Sequence, residues 1–150
     1  MSALVQRSFL ALSAVDWEPH ARQVFLREST PERLAHMMAT GSYAAAAFED
    51  EEPVGFLLMP RPSLLAMLFV DPAHLRRGIA RALWESARTH LERHHPETRT
   101  VELNATPYAF EAYRHLGFYP ISEPFFTDGC RATRMACWLP GRALQAATPG

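Results

Sequence analysis

The stretch from Ser63 to Arg93 constrains the fold more than any other part of the chain. Ser63–Val70 is apolar and carries no charge, the pattern of a strand buried on both faces. Asp71 and Pro72 end it. Gly78–Arg93 then places Ile79, Leu83, Ala87 and Leu91 in one stripe at helical spacing, with Trp84 beside them, which predicts an amphipathic helix. Val101–Ala105 is a further apolar strand. A strand–helix–strand unit implies a right-handed parallel crossover within one sheet, and such sheets bind ligands at the carboxyl ends of their strands. Two segments fall there: Asp71–Ala80 and Asn104–Pro107.

The flanking segments complete a mixed α/β pattern. Asp16–Glu28 reads as a helix with Asp16 as N-cap and Pro19 in its first turn. Ser29, Pro31 and Glu32 resemble a capping box that opens a second helix, Pro31–Thr40, closed by Gly41. Ser42–Phe48 and Val54–Met59 read as a hairpin around the acidic turn Glu49–Pro53. After Val101–Ala105, Thr106 and Pro107 suit the N-cap and N1 positions of a helix through Leu116, with Gly117 at its C′ position. Phe118–Phe126 and Arg131–Leu139 read as a last strand pair around Thr127–Gly129. Residues 1–140 are expected to form one domain, and Gly141–Gly150 a loose tail.

Composition narrows the function classes. A chain of 150 residues with 48% hydrophobic residues can bury one sizeable core. Its net charge of −1 implies no strong attraction to nucleic acid or anionic membrane, and no apolar run is long enough to span a bilayer. Arg7 followed by Phe9–Val15 has the order of a short signal peptide. One arginine and a minimal apolar run instead favour a first strand or turn leading into a helix. Cys130 and Cys137 are too few for a disulfide framework and suit a reducing compartment, so a cytoplasmic location is expected.

The junction Val70–Ala80 carries the clearest chemistry. A strand ends, a short basic loop follows, and a helix starts at a glycine. The free amides of a helix N-terminus carry the positive end of its dipole, and successive amides form a nest suited to a diphosphate. Gly78 permits close backbone approach, Ala80 keeps the helix start small, and Arg76 and Arg77 add charge for phosphate oxygens. The plain alternative is a capped helix with two solvated arginines. There is no Gly-Lys-Ser/Thr ending of a P-loop, and the glycine spacing is not that of a dinucleotide fingerprint.

Leu68–Leu83 resembles the cofactor motif of the GNAT superfamily of N-acetyltransferases, written Gln/Arg-x-x-Gly-x-Gly/Ala. Gly78 and Ala80 match it, and Leu75 departs from its first position. The segment from Asn104 to Phe118, with Thr106-Pro107-Tyr108-Ala109 and Tyr113-Arg114-His115-Leu116-Gly117-Phe118, is similar to the second family motif. Most members carry Asn where this chain has Thr106, and the chain is nearest to a subgroup with Asn-Ala-Ser-Pro-Tyr-Ala. The two matches together cover Ser63–Ile121.

The resemblance implies a GNAT-like fold: a mixed, mostly antiparallel sheet with one parallel crossover and helices on both faces. It implies transfer of an acetyl group from acetyl-CoA to an amine of a small molecule or peptide, without a metal. The cofactor residues it implies are Leu68, Phe69, Val70, Leu75, Arg76, Arg77, Gly78, Ile79 and Ala80, with Asn104 and Thr106 on the pantetheine arm. Backbone at Phe69–Val70 would stabilise the oxyanion if a bulge frees an N–H, and Tyr113 falls at the general-acid tyrosine. The core reading of Tyr113 is packing on one helix face with Phe110 and Leu116. The base position of some members matches Val101. Neighbouring Glu102 points to the opposite face of its strand, so water is the default route of deprotonation and Glu102 the weaker candidate base. The alternative function is a module that binds acyl-CoA without turning it over, favoured by Leu75 and the missing base.

The remaining candidates have simpler readings. His90, His94 and His95 have metal-like spacing, but a solvated helix end accounts for them. Cys130 and Cys137 would pair only across the last hairpin, and idle thiols are the simpler reading. Glu49–Glu52 reads as a solvated turn. Trp17, Phe25, Met37, Met38 and Tyr43 come from the region that forms the acceptor pocket in the family, with Glu123, Phe125, Phe126 and Asp128 on the other wall; core packing is the commoner fate for residues like the first group. The expected assembly is a homodimer through the last hairpin.

Overall fold

The continuous apolar run Val54–Met59 sets the layer order. It belongs to β2 (Glu52–Met59), which lies between β1 (Tyr43–Glu49) and β3 (Met67–Val70) in a three-stranded antiparallel sheet. All six residues from Val54 to Met59 are buried, because successive side chains enter two different cores. Leu57 and Met59 pack with Leu83, Trp84, Ala87 and Leu91 of α4 (Ile79–His94). Phe56 and Leu58 pack with Leu4 and Val5 of α1 (Ser2–Ser8) and Leu34 of α3 (Pro31–Thr40). Helices therefore cover both faces, and each fully buried Leu or Phe contributes about 1.5–3 kcal/mol. The computed structural model describes residues 1–139; the expected tail from 141 lies outside them.

A second sheet places β7 (Cys130–Trp138) between β4 (Thr100–Ala105) and β5 (Tyr119–Pro120), with β6 (Phe125–Thr127) pairing β7 around a turn at Asp128 and Gly129. The two sheets join at one parallel bridge, Leu64 to Glu102. There Glu102 N–H donates to Ser63 C=O at 2.8 Å and Leu65 N–H to Glu102 C=O at 3.0 Å. Beyond that bridge β3 pairs only with β2, and β4 only with β7, among the described residues. The expected mixed sheet with one parallel connection is present, and it opens between β3 and β4.

Several local expectations need correction. Of the two N-terminal alternatives, the turn leading into a helix is found and the strand is not: α1 runs into a π-turn at Phe9–Ser13 and a 3-10 turn at Ala14–Asp16 ahead of the next helix. Phe9 is fully buried, stacked on Phe25 at 4.1 Å and edge-on to Trp17 at 5.2 Å, and Ala14 is buried too, while Leu10 and Val15 of the same run are exposed. α2 spans Pro19–Glu28 with Glu18 as N-cap, not Asp16. For α3 the capping residue is Thr30, whose hydroxyl accepts from Arg33 N–H. The strand expected at 63–70 is regular only from Met67, and its residues are half-buried because its outer edge borders the opening. The last helix, α5, is Phe110–His115, three residues shorter at its start than expected, so Thr106 does not cap it. Its end is as expected: Gly117 at φ 105°, with Gly117 N–H donating to Arg114 C=O and Phe118 N–H to Tyr113 C=O, forms a Schellman motif. The expected single strand at 118–126 is split into β5 and β6.

Candidate active site

The loop between β3 and α4 is built as its sequence implies. Asp71 N–H donates to Val54 C=O at 2.8 Å, the last bond of the β2–β3 ladder. The Asp71 carboxylate then accepts from Ala73 N–H at 3.0 Å and caps a 3-10 turn at Pro72–His74. Arg76 and Gly78 both adopt left-handed backbone, at φ 63° and 80°, and Gly78 is the N-cap of α4. The first helical bond runs from Ala82 N–H to Gly78 C=O at 3.0 Å, which leaves the amides of Ile79, Ala80 and Arg81 without intrahelical acceptors. A Cβ built on Gly78 meets no atom within 4 Å, so the space beside Gly78 itself is open.

Beside this nest lies an apolar slot of about 190 Å³. Leu68, Phe69 and Val70 form one wall, Leu75 and Ala80 the loop side, and Ala109, Ala112 and Tyr113 the α5 side. Leu12, from the π-turn, also lines it. Arg81 Nη2 donates to His115 C=O at 2.6 Å and ties the start of α4 to the end of α5. Asp16 accepts from Tyr108 N–H at 3.0 Å and ties the N-terminal segment to the β4–α5 loop.

Within Met67–Val70 the β2–β3 register shows no bulge of the kind expected to free a backbone amide. The β2–β3 register is regular from Gly55–Val70 to Leu58–Met67, and the register shift lies in β1 at Ala47/Phe48. Because Asp71 bonds Val54, the antiparallel alternation turns Phe69 toward β2 and the amides of Leu68 and Val70 toward the opposite edge. β4 has diverged there, so among the described residues no strand pairs with this edge of β3.

Tyr113 sits against Phe118 at 5.7 Å and faces the slot from α5. Burial pushes its phenol up to about 12, which keeps the hydroxyl protonated through the neutral range. Glu102 pairs with Arg134 Nη1 at 3.2 Å on the face away from buried Val101 and Leu103. Among the described residues no carboxylate lines the slot.

Of the other expected residues, Ile79 offers only its amide, because its side chain packs against the core over Gly55. Asn104 is exposed on β4, and neither it nor Thr106 lines the slot. Arg77 is not free: it donates to Glu49 through Nη2 at 2.9 Å and Nη1 at 3.3 Å. Arg76 has no hydrogen-bond or ion-pair partner among the described residues.

Sequence reasoning missed Glu49, read as part of a solvated turn. It accepts from Arg77 and pairs with His74 Nε2 at 2.5 Å. Hydrogen bonds from Arg77 and then His74 hold its carboxyl below the usual range. Asp71 is lowered too, first by the Ala73 amide and then by Arg7 Nη2 at 2.8 Å. The available signal was position: Glu49 ends a strand that runs beside the loop.

The cysteines lie on one strand, β7, seven residues apart. That is about 23 Å in extended backbone, too far for a disulfide, and both are free and buried. The rings of His90, His94 and His95 gather at the end of α4, with His90 centroids 4.7 and 5.6 Å from the other two. No described group of three or more His, Cys, Asp or Glu is arranged to hold a metal ion. No described helix is long and apolar enough to cross a membrane.

The architecture recurs in solved structures. A GCN5-related N-acetyltransferase from Rhodopseudomonas palustris superposes with a TM-score of 0.77 at 18% identity, covering 92% of this chain and 87% of that one. The PaiA N-acetyltransferase of Thermoplasma acidophilum, solved with coenzyme A, gives 0.73 at 17% identity over 91% and 89%. An aminoglycoside 6'-N-acetyltransferase complexed with coenzyme A gives 0.65 at 14% identity over 92% and 90%. A search of curated protein sequences finds no match. The family described as acetyltransferase (GNAT) domain matches residues 13–139. With that match spanning nearly all the described residues, the chain belongs to the acetyltransferase (GNAT) domain family and is an acyltransferase.

Proposed function

We propose that the chain transfers an acetyl group from acetyl-CoA to an amine of a small molecule or peptide. The observation that carries this reading is the open amide nest at Gly78 beside a slot that ends at a neutral tyrosine. The amides of Ile79, Ala80 and Arg81, with Arg76, fit a pyrophosphate, and the apolar walls at Leu68–Val70 and Leu75 fit a pantetheine arm. When bound, acetyl-CoA supplies the activated acyl group and a thiol leaving group. The Leu68 and Val70 amides then stand as donors for negative charge on an acyl oxygen. Tyr113 holds a proton at Oη for the leaving sulfur. With Glu102 paired to Arg134, water is the assigned route for removing the amine proton. The Thr106-Pro107-Tyr108-Ala109 run supports placement in the subgroup with Asn-Ala-Ser/Thr-Pro-Tyr-Ala. The exposed side chains Tyr119, Phe126 and Trp138 on the last strands, with Ile121 just after β5, support a homodimer.

The absence of a carboxylate from the slot also favours the second reading, a module that binds acyl-CoA without turnover. Calorimetric titration with acetyl-CoA and CoA, on the wild type and on Gly78→Glu, tests the site. Micromolar binding lost in the variant supports it, and no binding by the wild type overturns both readings. An amine screen for release of CoA then separates enzyme from module.

A further inference from the structure

The loop at residues 74–78 holds a shape that its own sequence disfavours. Arg76 has a Cβ yet adopts φ 63°, and Gly78 follows at φ 80°. Leu75, between His74 and Arg76, has no side-chain polar group with which to fix the backbone. The restraint comes from another strand. Glu49, the last residue of β1, takes His74 Nε2 on Oε2 at 2.5 Å and Arg77 Nη2 on Oε1 at 2.9 Å. The two partners flank Leu75 and Arg76, so one carboxylate closes these four residues into a ring. Asp71 braces the start of the same loop, accepting from Ala73 N–H at 3.0 Å and from Arg7 Nη2 at 2.8 Å.

The network also divides the labour of the two arginines. Arg77 is neutralised by Glu49, while Arg76 has no acidic partner among the described residues. We propose that Glu49 is a positioning residue, which holds His74 and Arg77 so that the amide nest is formed before the ligand arrives and Arg76 is the side chain that meets the anion. This rests on the acetyl-CoA reading above. Preorganisation of this kind strengthens binding by removing the ordering cost. The competing view, that Glu49 sequesters Arg77 from phosphate, predicts the opposite sign: removing the carboxylate would tighten binding.

The test is calorimetric titration with CoA across a range of salt, on wild type, Glu49→Gln and Arg76→Gln, with backbone NMR order parameters for residues 75–78. Glu49→Gln is expected to weaken CoA about three- to tenfold while keeping the salt dependence, and to lower the order parameters with little change in thermal midpoint. Arg76→Gln is expected to flatten the salt dependence, since it removes a charge that meets the ligand. Unchanged or tighter CoA binding by Glu49→Gln overturns the proposal and leaves the acetyl-CoA reading intact. If the wild type binds no CoA, that reading falls, and unchanged order parameters in Glu49→Gln overturn the positioning role separately.

Discussion

Gly55 and Ile79 meet where β2 passes beneath the first turn of α4: a Cβ on Gly55 would lie 2.7 Å from Ile79 Cγ2 and 3.0 Å from Leu83 Cδ1. The missing side chain lets the helix start settle onto the sheet, and that seating aims its free amides. Gly55→Ala should therefore lift the N-terminus of α4. The expected cost is about 1–3 kcal/mol, as for other overpacked cores, measured by denaturant unfolding, with CoA affinity falling in parallel. Full stability with weakened CoA binding would mean that the strain is taken up by the nest alone.

Tyr113→Phe removes the Oη proton and keeps the ring against Phe118. A general acid contributes about 10²–10⁴-fold, so kcat should fall within that range while CoA affinity changes little. With the phenol pushed up to about 12, the wild-type rate should show no alkaline fall assignable to this group below about pH 11. Equal loss of affinity and rate in the variant would assign Tyr113 to packing.

Acid should release the loop before it unfolds the core. Glu49 and Asp71 both titrate below their ordinary values. A lowered folded-state pKa gives stability that is present above the unfolded value, about 4, and is lost as pH falls through the folded one. Between neutral pH and about 5 the loop order should hold constant, and below about 4 it should decline. NMR order parameters for residues 75–78, followed through an acid titration, check this.

The thiols should be inert in the native state. Cys130 is pushed up to about 11, mainly by burial and then by Asp16, and Cys137 is raised by burial. Because the thiolate is the reactive form, alkylation at pH 8 should proceed only at the rate of unfolding, seen by mass spectrometry as joint modification of both sites. Rapid labelling of one cysteine alone would reveal local opening of β7.

The segments legible in the sequence were those whose local pattern and tertiary role coincide. Ile79, Leu83, Ala87 and Leu91 announce α4 because the helix buries one stripe, and Gly117 announces the end of α5 because its φ of 105° suits glycine. Legibility failed where long-range partners decide. The run 63–70 looks like a strand buried on both faces, yet that role belongs to β2, and only the divergence of β4 leaves β3 half-exposed. Asp16 looks like a helix cap but serves the amide of Tyr108, ninety-two residues away. Glu49 has no local pattern that signals its role, since its partners His74 and Arg77 lie across the hairpin in space and beyond it in sequence.

Among the described residues a single bridge, Leu64 to Glu102, joins the two sheets and makes them a pair of jaws with one hinge pin. A ligand seated in the gap would stand in for the hydrogen bonds that β3 and β4 never make to each other, and so become a structural member of the sheet. Saturating it at about 100 times Kd should raise stability by about 2.7 kcal/mol. The gain should concentrate at β3 and β4 as slowed amide exchange, so that an occupied molecule melts as one unit where an empty one opens first along the seam.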